Sequence, residues 1–254
     1  MSVRFSWLLS CVAVSSIVLA MQTNCVQAAV LTQWNFNGAT AGTTVPSTGS
    51  GIASLVGGTT ATFASGIVNG GSSDPVTTSP TNFAWNSTAY PAQGSGDRTA
   101  GVQFNVSTVG WTGVTVNWDT RSSNTSARHQ QFQFSTNGTS FTDLGALFAN
   151  TAGDTWFNNR SIDLTSISAV DNNPNFAFRM VSAFDPANPG NYVSSGAGTT
   201  TAYAGGTLRF DIVTVNATAV PEPTSMLLLG TVGVVGFAVR RRLKNRSNRD
   251  SAAV

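Results

Sequence analysis

The sequence predicts an all-β domain: an antiparallel two-sheet sandwich, jelly-roll-like, with about ten strands. Three observations predict it. Apolar residues alternate at period two in segment after segment, and no ten-residue window shows the three-and-four spacing of an amphipathic helix. Clusters of Gly, Ser, Asn and Pro separate those segments at the intervals of a sandwich. Between Ala29 and Ala219 there is no lysine and no glutamate, so solubility rests on hydroxyls and amides, which suit the solvent faces of strands. About 190 residues suffice for one hydrophobic core.

In chain order, residues 31–36 open the domain with Trp34 and Phe36. Weaker candidates follow at 53–56, 60–64 and 82–85. Residues 101–107 turn Val102, Phe104 and Val106 inward, and 113–119 do the same with Val114, Val116 and Trp118. Segment 128–135 carries Phe132 and Phe134; Asn137-Gly138 then favours a tight two-residue turn into 140–144. Ile162 and Leu164 mark 160–164, Phe176, Phe178 and Met180 mark 175–184, and Leu208, Phe210 and Ile212 mark 207–215. The first and last strands are both strongly apolar, which favours their pairing at the centre. Loops 66–80, 88–97 and 185–206 are rich in Gly, Ser, Pro and Asn, and are expected to be exposed and partly mobile.

The chemistry in this body is sparse. His129 is the sole histidine and both cysteines, Cys11 and Cys25, precede residue 29, so a zinc site or a thiolate nucleophile has no residues to build it. No Gly-x-Ser-x-Gly elbow accompanies His129, and the acids are scattered aspartates at turns and strand ends. The reading is therefore non-enzymatic, with no cofactor. Asp171, Asp185 and Asp211 are candidate oxygen donors should calcium be held in a sandwich rim, although Asp-Asn clusters more often form plain turns. Asp211 lies inside the last strand and must find a polar partner. Trp85, Trp111, Trp156, Tyr192 and Tyr203 lie in or near loops, where a ring face can stack on a sugar; they are the candidate glycan contacts, against the common use of such rings as core and anchors.

The formal charge of +2 misleads. Residues 29–219 hold six arginines against nine aspartates, a balance of −3, so the basic excess belongs to the ends and no nucleic-acid footprint exists. At the N-terminus, Arg4, the apolar stretch 7–20 and Val26-Gln27-Ala28 read as a signal peptide over residues 1–28.

At the other end, Val220-Pro221-Glu222-Pro223 precedes an uncharged apolar run, 224–239, and then Arg240-Arg241-Arg242. The sixteen residues of that run reach about 24 Å as a helix, close to one hydrocarbon core, so a single C-terminal transmembrane helix is expected. The arginines form a basic stop that sets residues 247–254 in the cytoplasm. Pro221 and Pro223 keep the preceding motif extended. This order of motif, span and cations over 220–246 resembles the PEP-CTERM sorting signal of exported bacterial proteins. The resemblance implies processing near Pro221-Glu222-Pro223 by an exosortase, transit through the inner membrane, and delivery to the surface or an exopolysaccharide matrix. The function expected is that of a non-enzymatic surface or matrix protein; the alternative is a carbohydrate-binding module recognising exopolysaccharide through the loop aromatics.

Overall fold

The computed structural model describes residues 27–78, 81–196 and 201–220. The signal peptide, Pro221–Pro223, the expected membrane helix at 224–239 and Arg240, Arg241 and Arg242 lie outside them. Among the described residues no helix is long and apolar enough to cross a membrane.

Eleven strands form two antiparallel sheets: β1 (Ala29–Trp34), β2 (Ile52–Val56), β3 (Thr60–Ser65), β4 (Phe83–Thr88), β5 (Gly101–Asn105), β6 (Trp111–Ser122), β7 (His129–Ser135), β8 (Thr142–Ala149), β9 (Thr155–Asp163), β10 (Ala177–Ala183) and β11 (Leu208–Ala219). A single 3-10 turn, Ser168–Val170, is the sole helical element among the described residues. The first sheet runs β3-β4-β11-β6-β9, with β1 also paired to β11; the second runs β2-β5-β10-β7-β8. Consecutive strands mostly change sheet, as in a jelly roll. The expected pairing of the first and last strands is present, from Ala29 opposite Ala217 to Trp34 opposite Val213.

The alternating apolar positions meet between the sheets. Trp34 packs on Phe104 at 4.8 Å, and Phe104, Phe178 and Phe132 stack in succession at 5.1 and 5.6 Å. Trp118 continues the row against Phe132 at 5.7 Å and Phe148 at 4.9 Å. Aromatic contacts at these separations add to the burial that holds the sheets together.

Two expectations need correction. The Asn137-Gly138 hairpin exists between β7 and β8, but it is not a tight two-residue turn. Phe134 pairs with Thr142, and only Gly138 takes a positive φ, of 76°. Asn137 Oδ1 instead accepts from the backbone of Thr139 and Ser140 at 2.9 and 2.8 Å, a side-chain turn that outcompetes the two-residue geometry. The loop after β3 is not loose either. Residues 66–78 lie across the outer face of the first sheet, fastened by Trp156 Nε1 to Val68 O at 2.9 Å, Asn158 Nδ2 to Gly71 O at 3.1 Å and Asp119 Oδ2 to Ser73 N at 2.5 Å.

Candidate functional site

The aromatic residues expected at the loops mostly serve as fasteners. Trp85 is 4% exposed, stacked on Phe36 at 5.6 Å within the core. Trp156 is buried as the anchor of loop 66–78. Tyr192 is buried too; its hydroxyl donates to Ser95 O and Gly96 O at 3.1 and 3.0 Å. Its ring stacks on Tyr203 at 4.5 Å, and Tyr203 donates to Pro91 O at 2.7 Å. These two tyrosines tie the connection after β10 to the one after β4, and burial raises the pKa of both phenols, making them weaker acids. Trp111 is half-buried at the start of β6 and packs against the core. None of these rings joins another sequence-nominated ring except the Tyr192–Tyr203 pair.

The three aspartates considered for calcium stand on separate partners. Asp171 Oδ1 accepts from Gly113 N at 2.9 Å, beside Asn172, whose Oδ1 accepts from Gly110 N at 2.9 Å. Asp185 accepts from Ala187 N at 3.0 Å and lies 3.5 Å from His129 Nε2. Asp211 is buried on the outer face of β11, taking Ser72 Oγ at 2.6 Å and Ile212 N at 2.8 Å. Burial pushes its carboxyl up to about 8, with Asp74 and Asp119 adding to the rise and the two hydrogen bonds opposing it. Among the described residues no three His, Cys, Asp or Glu side chains are grouped to hold a metal ion.

His129 opens β7. Burial lowers its basicity more than Asp185 raises it, and its buried Nδ1 has no hydrogen-bond partner.

The second sheet carries a constellation that no motif announces. Ser54 of β2 pairs with Gln103 of β5, Gln103 with Arg179 of β10, Arg179 with Gln133 of β7, and Gln133 with Asp143 of β8. Directly opposed residues share a face, so all five strands contribute one polar side chain to a single row across the sheet. Their chain neighbours Val102, Phe104, Phe178, Met180 and Phe132 fill the core on the other face. Within the row, Arg179 Nε donates to Gln103 Oε1 at 2.7 Å, and Gln133 Nε2 donates to Asp143 Oδ1 at 2.9 Å. Asp143 also pairs with Arg98. The Arg179 guanidinium lies 3.5 Å over the Phe141 ring, and among the described residues no acidic side chain pairs with it. Gln133 is 7% exposed and its Oε1 has no donor.

The end of β11 shows how the body joins its tail. Ala219 pairs with Trp111, and Val220 N donates to Gly110 O at 2.8 Å. The model of the PEP-CTERM protein-sorting motif matches residues 219–242, beginning on that last strand residue. The chain carries a PEP-CTERM sorting motif. The motif implies export, a membrane-anchored precursor and processing by an exosortase, as the sequence led us to expect. It abuts the sheet directly, with no linker between β11 and Pro221.

No curated protein shows significant sequence similarity to the chain. Among solved structures, the CBM22-1 xylan-binding domain of Paenibacillus barcinonensis Xyn10C is 9% identical over 76% of this chain and 97% of that domain, with a TM-score of 0.46. The K1 cleaved adhesin domain of Lys-gingipain from Porphyromonas gingivalis W83 is 14% identical over 68% of this chain and 100% of that one, with a TM-score of 0.32. At such identities the likeness is one of sandwich arrangement alone.

Proposed function

We propose that this chain is the precursor of a non-enzymatic surface or matrix protein of a bacterium, exported, held in the inner membrane by its tail, and released from that tail by an exosortase. The PEP-CTERM motif at residues 219–242 carries the reading. Its position supports it: the motif follows the folded body directly in sequence, with the body on one side of the apolar run and the cations Arg240, Arg241 and Arg242 on the other.

The test replaces Pro221, Glu222 and Pro223 with alanine in the native host. The unaltered chain should reach the surface or medium without its basic tail, whereas the variant should stay in the membrane fraction at precursor length. Recovery of the unaltered, full-length polypeptide from the soluble cytosol would overturn the proposal.

A second reading, carbohydrate recognition, is favoured by the polar row from Ser54 to Asp143. Planar amides, a guanidinium and an adjacent ring on one strand face are the groups that bind sugar hydroxyls. The loop aromatics offer less, because Trp85, Trp156 and Tyr192 are buried. Retention of the full chain, in detergent, on immobilised glycans tests this reading; silence against every glycan would remove it.

A further inference from the structure

Arg179 is an unusual residue to find at the centre of a sheet. It sits on β10, the middle strand of five, half-buried, with its ring-stacked guanidinium unanswered by any carboxylate. Gln103 holds its Nε, which fixes the plane of the group, and no bond occupies the two terminal nitrogens. A guanidinium fixed in this way presents its remaining N–H groups as a fork, the geometry that accepts a carboxylate through two parallel hydrogen bonds. Beside it, Gln133 is more than nine-tenths buried, its Nε2 held by Asp143 Oδ1, and walls the site without presenting its covered Oε1 to solvent. Arg179 therefore asks for an anion, and a sugar acid supplies a carboxylate on a ring. The polar row also repeats at the strand spacing of about 4.8 Å, close to the length of one sugar unit in an extended chain. Phe141, which stacks on Arg179, supplies the apolar flank a sugar ring requires.

We propose that the outer face of the second sheet binds a carboxylate-bearing polysaccharide running across the strands, its carboxylate on the Arg179 fork. The proposal rests on the carbohydrate reading above and sharpens it to an acidic glycan and a named face. The body itself carries a balance of −3, so attraction to a polyanion must come from a local site and not from overall charge.

The test is calorimetric titration of the full chain in detergent with polygalacturonate, and with uncharged mixed-linkage β-glucan as the second arm. Polygalacturonate should bind and β-glucan should bind more weakly. Arg179→Gln should lower the affinity for polygalacturonate about 10- to 100-fold. Arg179→Lys, which keeps the charge and loses the fork, should lower it as well, and Gln133→Glu should abolish binding by placing a second carboxylate at the site. Should Arg179→Gln fail to fold, Phe141→Leu replaces it and is expected to weaken binding several-fold with an unchanged melting temperature. Equal binding of polygalacturonate by folded Arg179→Gln, or by folded Phe141→Leu where that stands in, would overturn the site. Equal binding of the two glycans overturns the acidic ligand while the carbohydrate reading survives. No binding in either arm overturns both.

Discussion

Asp211 makes the stability of this sandwich depend on pH in a direction opposite to that of most carboxylates. Its carboxyl is buried under loop 66–78, and its folded-state pKa is pushed up to about 8 from 3.8. Between those values the folded chain keeps a proton that the unfolded chain has released. Stability is therefore full below about pH 4 and falls as pH rises to about pH 8, at up to 1.36 kcal/mol per unit. The whole interval corresponds to roughly 6 kcal/mol, an upper figure that local rearrangement reduces. Asp211→Asn removes the titration while keeping Oδ1 as the acceptor for Ile212 N and setting an amide nitrogen where Oδ2 accepts from Ser72 Oγ, a hydroxyl that can turn to accept. Its amide also brings a donor towards Asn82 Oδ1, which is buried without one. The two side chains converge on Gly66, where an added Cβ would stand 1.8 Å from Asn82 Oδ1 and 2.9 Å from Asp211 Oδ2. Thermal unfolding of both chains from pH 5 to pH 9 checks the argument. Even a third of the upper figure, about 2 kcal/mol, moves the midpoint of a domain this size by roughly 4–8 °C. The unaltered chain should lose that much towards pH 8 and Asp211→Asn should not. Parallel curves for the two proteins would refute the burial argument.

The same face yields two further predictions. Gly66→Ala should destabilise by about 1–3 kcal/mol, read by urea unfolding, because the new methyl group collides with Asn82 and Asp211. Trp156→Phe removes the donor to Val68 O and should cost about 1 kcal/mol, together with faster proteolytic cutting within residues 66–78.

The strands were legible because each must bury one face: Val102 and Phe104, or Phe178 and Met180, repeat at period two and return as the core. The pairing of first and last strands was legible from their shared apolar character, although among the described strands β1 pairs with β11 alone and so lies beside the central strand, not within the sheet's middle. The loop 66–78 was not, because its order depends on partners far along the chain, Trp156, Asn158, Asp119 and Asp211, none of which its own composition mentions. The polar row was half-legible. Gln103, Gln133 and Arg179 are visible as the polar positions between apolar ones. That they stand side by side follows from strand order and register, which are non-local and which periodicity leaves undetermined.

The two outer faces of the sandwich differ in how their polar groups are answered. On the first, loop 66–78 answers three polar groups of β6, β9 and β11, Ser72 for Asp211, Ser73 for Asp119 and Val68 for Trp156, although Arg121 Nε there, and Arg160 Nε elsewhere on β9, stay buried without a partner. A ligand there would have to displace a loop of thirteen described residues and replace every one of those bonds. On the second, the row is answered only in part. Gln103 and Asp143 satisfy one group each on Arg179 and Gln133, and the remaining guanidinium edge and amide oxygen are left over. A protein meant only to be inert would gain by pairing or removing these groups, since a half-satisfied polar network is less stable than an apolar or a complete one. The persistence of the guanidinium edge at the middle of a five-stranded face, away from every strand end, is what an external partner would account for.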